Sequence, residues 1–88
     1  MFIIDIKLTE TNITEEAISA HRAWFKKYFD AGKFVLVGPR VDLDHAGIIV
    51  AKAKNRQEID ELISQDVFYP NGATYDVMEF KANLNTFA

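Results

Sequence analysis

The chain has 88 residues, of which 49% are hydrophobic and 26% are charged, and its formal net charge at pH 7 is -3. This length predicts one domain over residues 1–88, and this composition excludes a disordered chain. The sequence has no basic run or stripe, so we expect no nucleic-acid partner. The absence of cysteine excludes disulfides, thiolate metal sites and cysteine nucleophiles.

The N-terminal segment predicts neither secretion nor membrane insertion. Residues 1–8 have no basic n-region and no small-residue cleavage site, so we expect no signal peptide. No stretch of the sequence approaches the roughly 20 apolar residues that a membrane-spanning helix needs, so we expect no membrane contact. Together with the lack of cysteine, these features predict a cytoplasmic protein.

The first elements along the chain are a predicted strand and a predicted helix. Apolar side chains occupy every second position of residues 2–8, which is typical of a strand. The helix begins at Asn12 or Thr14, because either residue suits the N-cap position, and it continues to about Ala31. Gly32 then suits the position that ends a helix.

The later elements follow from apolar runs, caps and turn residues. A short apolar run predicts a buried second strand, which Gly38 and Pro39 end. Asn55 is followed three residues later by Glu58, a spacing that begins a second helix. The predicted bounds are 34–37 and 46–53 for the second and third strands, 56 to Ser64 or Gln65 for the second helix, 73–81 for the fourth strand, and a tail to Ala88.

This βαββαβ order predicts an α+β protein of the ferredoxin-like type, with both helices on one face of a four-stranded antiparallel sheet. The other face of the sheet in a monomer should be polar. The predicted fourth strand instead carries Tyr75 and Val77 on one face and Met78 and Phe80 on the other. Because an exposed apolar face marks an interface, we expect a two-fold homodimer with the two sheets packed face to face.

His21 is the first candidate catalytic residue. Helical spacing places it in the apolar stripe of the first helix with Ile18, Phe25 and Tyr28, so it faces the sheet. One interpretation is a core histidine bonded to a backbone carbonyl or a hydroxyl, and spacing alone favours this role. The other is a general acid or base, because imidazole titrates near neutral pH.

Asp66 is the second candidate. It lies at the C-terminal end of the predicted second helix, where the negative end of the helix dipole disfavours a carboxylate. Position alone favours an ordinary loop aspartate. Because both predicted helices lie on the same face of the sheet, the alternative is a carboxylate that reaches His21 and orients its ring.

Three further positions have weaker patterns. Arg40 follows a predicted strand end and suits either an anion site or an ordinary surface. Tyr75 suits either a pocket lining or simple packing. His45 lies beside Asp42 and Asp44, but a solvated turn explains this group better than a metal site. The sequence lacks phosphate-binding loops, zinc-protease motifs and dinucleotide motifs, so we expect no metal and no cofactor.

Several short motifs occur in a fixed order along the chain, namely His21, Gly32-Lys33-Phe34, Gly38-Pro39, Gly47, Asp66-x-Phe68 and Tyr75. In this order they resemble the YciI-like (YCII-related) family over almost the whole chain. The resemblance implies a ferredoxin-like dimeric α/β barrel with a pocket in which His21 and Asp66 form a catalytic pair. Activity in this family is largely uncharacterised, and one member is associated with dehydrochlorination of a chlorinated hydroxyquinol.

The chain departs from this family pattern at two places. Val67 stands where the family often has proline, which affects the expected position of Asp66. Residues 18–20 replace an arginine that the family often has shortly before the histidine. This second departure leaves Arg22 or Arg40 as substitutes for an anion-binding residue.

We therefore predict a small cofactor-free enzyme that acts on a small organic substrate, aromatic compounds included, in a lyase- or isomerase-type reaction. His21 is the predicted general acid or base, and Asp66 holds the other nitrogen of its ring. Arg40 and Tyr75 are the predicted substrate-binding residues. The alternative is a non-catalytic dimer that binds a small ligand in the same pocket or serves as an accessory protein.

Overall fold

The computed structural model describes residues 1–86, so residues 87 and 88 of the predicted tail lie outside the described part of the chain. The predicted element order βαββαβ is confirmed. The strands and helices are β1 (Phe2–Leu8), α1 (Glu15–Asp30), β2 (Phe34–Pro39), β3 (Ala46–Ala51), α2 (Arg56–Ile63) and β4 (Ala73–Glu79). None of the helices in residues 1–86 is long and apolar enough to cross a membrane.

The four strands form one antiparallel sheet in the order β2-β3-β1-β4. The first strand therefore lies at the centre, where Ile4 is paired with Ile49 of β3 and with Val77 of β4. This order and the two helices are those of a ferredoxin-like fold, as the sequence predicts.

Successive side chains of β1 point alternately to the two faces of the sheet, a core face and an open face. Phe2, Ile4 and Ile6 are buried on the core face, in one cluster with buried residues of both helices. The helical members of this cluster are Trp24, Ile59, Leu62 and Ile63. Both helices therefore cover the same face of the sheet.

Side-chain caps fix the start of each helix. Thr14, and not Asn12, caps α1, because its hydroxyl accepts a hydrogen bond from the Ala17 backbone N–H at 3.1 Å. Asn55 caps α2 in the same way, since its side chain accepts from the Glu58 backbone N–H at 3.0 Å. Gly32, with φ of 79°, follows α1 in the left-handed conformation expected where a helix ends.

The predicted end of β2 is wrong, because the strand continues through Gly38 and Pro39. These residues pair with Ile48 and Gly47 of β3, and an edge strand tolerates a proline that lacks an N–H group. Gly47 permits the close approach, since a Cβ there would lie 3.2 Å from the carbonyl oxygen of Gly38.

Two other strands end two residues earlier than predicted, at Ala51 and at Glu79. Both residues pair with Phe2, the first residue of the central strand β1. Beyond Phe2 the neighbouring strands have no partner in β1, so their ends are set by tertiary pairing and not by their own apolar patterns.

The open face of the sheet carries an apolar row that crosses all four strands. Strand register aligns its members, and the side chains at both ends of the row are exposed, Leu36 at 42% and Met78 at 62%. The row consists of Leu36, Val50, Ile3 and Met78. Its presence fits the predicted apolar second face, although polar residues such as Asp5 and Lys7 lie on the same face of β1.

Candidate functional site

His21 lies in the middle of α1, where aromatic rings surround its imidazole. The ring stacks on Trp24 with centroids 5.6 Å apart and meets Phe25 and Phe68 edge-on at 5.5 Å and 5.4 Å. Trp24 and Phe25 follow His21 by three and four positions, so the helix itself places them against it. These contacts leave 15% of the His21 side chain exposed.

Asp66 lies in the irregular turn that follows α2, and its carboxylate is fully buried. The turn is held by a hydrogen bond from the Asp66 backbone N–H to the carbonyl oxygen of Ile63 at 3.0 Å. Oδ1 of Asp66 lies 2.7 Å from Nδ1 of His21. The structure therefore brings together two candidates that are 45 positions apart in the sequence.

Tyr75, in β4, completes the surroundings of this carboxylate. Its hydroxyl donates a hydrogen bond to Oδ2 of Asp66 at 2.6 Å, so each carboxylate oxygen has one side-chain partner. Burial raises the pKa of Tyr75 far above its usual range, and the hydrogen bond to Asp66 adds to the shift. Tyr75 therefore remains a neutral phenol that donates to Asp66.

A contact between the two helices fixes the frame around the pair. The indole N–H of Trp24 donates to the carbonyl oxygen of Leu62 at 2.9 Å. Leu62 belongs to the last turn of α2, whose carbonyl groups have no partners within the helix. This bond holds the end of α2 against α1, close to the turn that carries Asp66.

The hydrogen bond to Asp66 determines the protonation pattern of the neutral His21 ring. Because an ionised carboxylate only accepts hydrogen bonds, its contact favours the neutral ring that has the proton on Nδ1 and the lone pair on Nε2. Nε2 has no hydrogen-bond partner within residues 1–86, and this atom is not fully buried. It is therefore the ring nitrogen that a ligand can reach.

A groove of about 840 Å³ opens beside His21, between α1 and the segment that joins β2 to β3. Most of its lining is apolar, contributed by Ile6, Leu8, Ile18, Phe25, Phe29 and Val37. His21 lines this groove, whereas Asp66 and Tyr75 lie behind the imidazole and do not. The ring thus connects a buried carboxylate on one side with an apolar groove on the other.

Arg40 also lines the groove, but its guanidinium is already occupied. Nε and one terminal nitrogen donate to the two oxygens of Asp42 at 2.9 Å and 2.7 Å, and the other terminal nitrogen lies 3.5 Å from Asp5. The hydrogen bond from Arg40 lowers the pKa of Asp42, and the same bond raises the pKa of Arg40. The structure does not bring Arg40 into contact with His21 or Asp66.

The loop that carries Asp42, Asp44 and His45 forms the far wall of the groove. Within residues 1–86, no group of three side chains is placed to hold a metal ion, and these three are no exception. The backbone of His45 is left-handed, with φ of 55°, and its carbonyl oxygen accepts from the Leu8 backbone N–H at 2.8 Å. His45 lines the groove but makes no side-chain hydrogen bond with another described residue.

One protein-family model matches nearly the whole chain. The family model described as "YCII-related domain" matches residues 1–81, and so includes every element of the fold and all the residues of the site. The chain belongs to the YCII-related family. No curated protein matches it.

Some contacts of this YCII-related site are not predictable from the sequence. The sequence predicts Tyr75 as a substrate-binding residue, and in the structure its hydroxyl donates a hydrogen bond to Asp66. Trp24 appears in the sequence only as a member of an apolar stripe, although a buried indole N–H generally requires a partner. The motif Asp66-x-Phe68 does indicate that two neighbouring residues serve one site, because the Phe68 ring contacts the imidazole that Asp66 holds.

Proposed function

We propose that this YCII-related protein is a small enzyme in which His21 transfers a proton to or from a small organic substrate. The observation that carries the proposal is the 2.7 Å contact between His21 Nδ1 and Asp66, which leaves Nε2 beside an apolar groove and without a partner among residues 1–86. A core histidine that serves packing alone needs neither a buried carboxylate nor a groove. The expected reaction is of the lyase or isomerase type and uses proton abstraction.

The proposed mechanism uses the two ring nitrogens differently. Nε2 of His21 accepts a proton from a carbon acid in the groove, and the ring becomes an imidazolium. Asp66, which accepts from Nδ1, stabilises this positive charge, while Tyr75 holds the second carboxylate oxygen in place. The imidazolium then returns the proton to the substrate or to its leaving group. Positioned proton transfer of this kind contributes roughly 10²–10⁴-fold to a rate.

The surroundings of His21 support this chemistry. Trp24, Phe25 and Phe68 exclude most water from the imidazole, and a local environment of low dielectric strengthens the attraction between the imidazolium and Asp66. The apolar lining of the groove suits a substrate with an aromatic or alicyclic body. Tyr75 acts through Asp66 and is therefore a positioning residue in this proposal.

We also propose that a second copy of the chain covers the open face of the sheet. Two observations support this homodimer. The apolar row formed by Leu36, Val50, Ile3 and Met78 lies uncovered on that face. Asp5 lies beside it, and its Oδ1 is buried without a hydrogen-bond partner within residues 1–86, which a neighbouring chain can supply.

The proposed activity is tested by incubating the protein with small carboxylic acids, lactones and halogenated phenols in D₂O. NMR spectroscopy detects both product formation and the exchange of carbon-bound protons for deuterium. We expect at least one class of compound to react, and we expect His21→Gln to slow that reaction by roughly 10²–10⁴-fold. Asp60→Asn, a change at an exposed carboxylate paired with Arg56, serves as the control and is expected to react like the unmodified protein.

Two outcomes contradict the enzyme proposal. One is a reaction that proceeds equally fast in the His21→Gln variant. The other is a compound that binds in the groove but shows neither product nor proton exchange across the whole panel. The second outcome favours the non-catalytic, ligand-binding alternative.

A further inference from the structure

Arg22 lies next to His21 in the chain and lines the same groove. On the groove-facing side of α1 it stands between Ile18, four positions before it, and Phe25, three positions after it. Its side chain is exposed and makes no ion pair or hydrogen bond with another residue of 1–86. The Arg22 guanidinium, unpaired within the described part of the chain, therefore lies on an apolar wall of the groove.

The other strong cations of the groove already have carboxylate partners. Lys26 pairs with Asp30 at 2.8 Å, one turn further along α1. Arg40 is bound by both oxygens of Asp42. Among the described arginine and lysine residues that line the groove, Arg22 is therefore the one whose charge is not matched by a protein carboxylate.

The groove is also asymmetric in charge. Its lining carboxylate, Asp44, belongs to the loop between β2 and β3 and makes no ion pair with Arg22. An anion is thus attracted towards α1, where Arg22 stands beside His21, and repelled by Asp44. Between the charged residues the lining is apolar and includes Phe25 and Phe29.

We infer that the groove binds a small organic carboxylate, with the carboxylate paired to Arg22 and the apolar body of the ligand on the apolar lining. The planar guanidinium presents two parallel N–H donors that match the two oxygens of a carboxylate. This inference deepens the proposed function, on which it rests, because it defines the substrate class that is presented to His21. It assigns anion binding to Arg22 and not to Arg40.

Benzoate and benzamide are the probes that test this inference, because they have the same ring and differ in the charge of the head group. Each is titrated into the protein at low salt, and amide and arginine Nε–H shifts are followed by heteronuclear NMR. We expect benzoate to shift Arg22 and groove residues and to bind more tightly than benzamide. Arg22→Gln is expected to weaken benzoate binding roughly tenfold while leaving benzamide binding unchanged.

Two further variants make the comparison specific. Arg22→Lys keeps the charge but loses the paired donors, so we expect an affinity for benzoate between those of the unmodified protein and Arg22→Gln. Arg56→Gln removes a helical arginine outside the groove, already paired with Asp60, and should bind benzoate like the unmodified protein. Benzoate binding that persists unchanged in Arg22→Gln, equal binding of benzamide, or no benzoate binding at millimolar concentrations overturns the inference.

The binding experiment is independent of turnover. The reaction screen with His21→Gln and the benzoate titration with Arg22→Gln are separate measurements, so either proposal can fail without the other. If the reaction screen finds no turnover while benzoate binding depends on Arg22, the enzyme proposal fails and the carboxylate site stands. If turnover depends on His21 but the affinity for benzoate is unchanged in Arg22→Gln, the proposed substrate class is wrong and the enzyme proposal stands.

Discussion

Tyr75 and His21 bind opposite oxygens of one buried carboxylate. The Tyr75 hydroxyl donates to Oδ2 of Asp66 at 2.6 Å, and Nδ1 of His21 lies 2.7 Å from Oδ1. Each oxygen therefore has one side-chain partner, and the two partners come from different elements, β4 and α1. This arrangement holds the carboxylate in one orientation and, through it, the imidazole that lines the groove.

The Asp66→Asn variant should disrupt this arrangement. An amide presents one oxygen and one NH₂ group, so the NH₂ group must face a side chain that donates in the native protein. We expect a loss of about 1–3 kcal/mol in the free energy of unfolding, measured by urea denaturation. In the proposed enzyme we also expect the reaction to slow by at least about tenfold.

Asp60→Asn is the matched control for this change, because Asp60 is an exposed carboxylate paired with a neighbouring arginine on the surface of α2. We expect its free energy of unfolding to stay within about 0.5 kcal/mol of that of the unmodified protein. Equal effects of the two substitutions would show that Asp66 has no special role.

The Tyr75→Phe variant tests the second hydrogen bond to Asp66. Removing the hydroxyl leaves a buried carboxylate oxygen without its donor, so we expect the free energy of unfolding to fall by about 1–3 kcal/mol near pH 7. Tyr69→Phe changes an exposed tyrosine that is 46% accessible and should have little effect. A Tyr75→Phe variant as stable as Tyr69→Phe would contradict the role given to this bond.

Tyr75 also predicts a dependence of stability on alkaline pH. Burial, followed by the hydrogen bond to Asp66, raises the pKa of Tyr75 in the folded protein above that of tyrosine in the unfolded chain. The unfolded chain therefore loses this proton first, so the stabilisation is complete below about pH 10 and declines at higher pH. We expect the free energy of unfolding to fall more steeply above pH 10 in the unmodified protein than in Tyr75→Phe, and equal slopes would contradict this assignment.

The Trp24→Phe variant tests the contact that holds the end of α2 against α1. The indole is 5% exposed, and its N–H donates to the Leu62 carbonyl oxygen at 2.9 Å. Losing both the donor and part of the buried ring should lower the free energy of unfolding by about 2–4 kcal/mol. Urea denaturation measures this loss, and a variant within about 0.5 kcal/mol of the unmodified protein would contradict it.

The proposed homodimer predicts that a charge placed on the open face of the sheet separates the two copies. Met78→Lys introduces an ammonium group into the apolar row, and sedimentation velocity should then show a monomer where the unmodified protein sediments as a dimer. Val41→Lys, at a fully exposed hydrophobic residue in the loop after β2, is the control and should remain dimeric. A monomeric unmodified protein, or a dimeric Met78→Lys variant, would contradict the proposed interface.

Local patterns predict much of this fold from the sequence. The alternation of apolar and polar residues in β1 predicts which side chains lie on each face of the central strand. Asn55 caps α2 at its predicted place. Strand ends are less predictable, because β3 and β4 end where their common partner β1 begins. Likewise, Gly38 and Pro39 look like strand breakers until β2 is known to be an edge strand.

The candidate site was predictable in its members more than in its contacts. Local sequence patterns single out His21, because it lies within an apolar stripe, and Asp66, because it lies at a helix end. Their contact spans 45 positions and depends on how α1 packs against the end of α2. The same holds for Arg40 and Arg22, because only the folded chain shows which guanidinium has a carboxylate partner.

The central claim is that Asp66 holds the proton of the neutral His21 ring on Nδ1 and leaves the lone pair on Nε2. Long-range ¹H–¹⁵N NMR correlations of the imidazole, recorded as a function of pH, report the tautomer of the neutral ring directly. We predict that His21 is the Nδ1–H tautomer and that Asp66→Asn loses this preference. A His21 ring protonated on Nε2 in the unmodified protein would contradict the account.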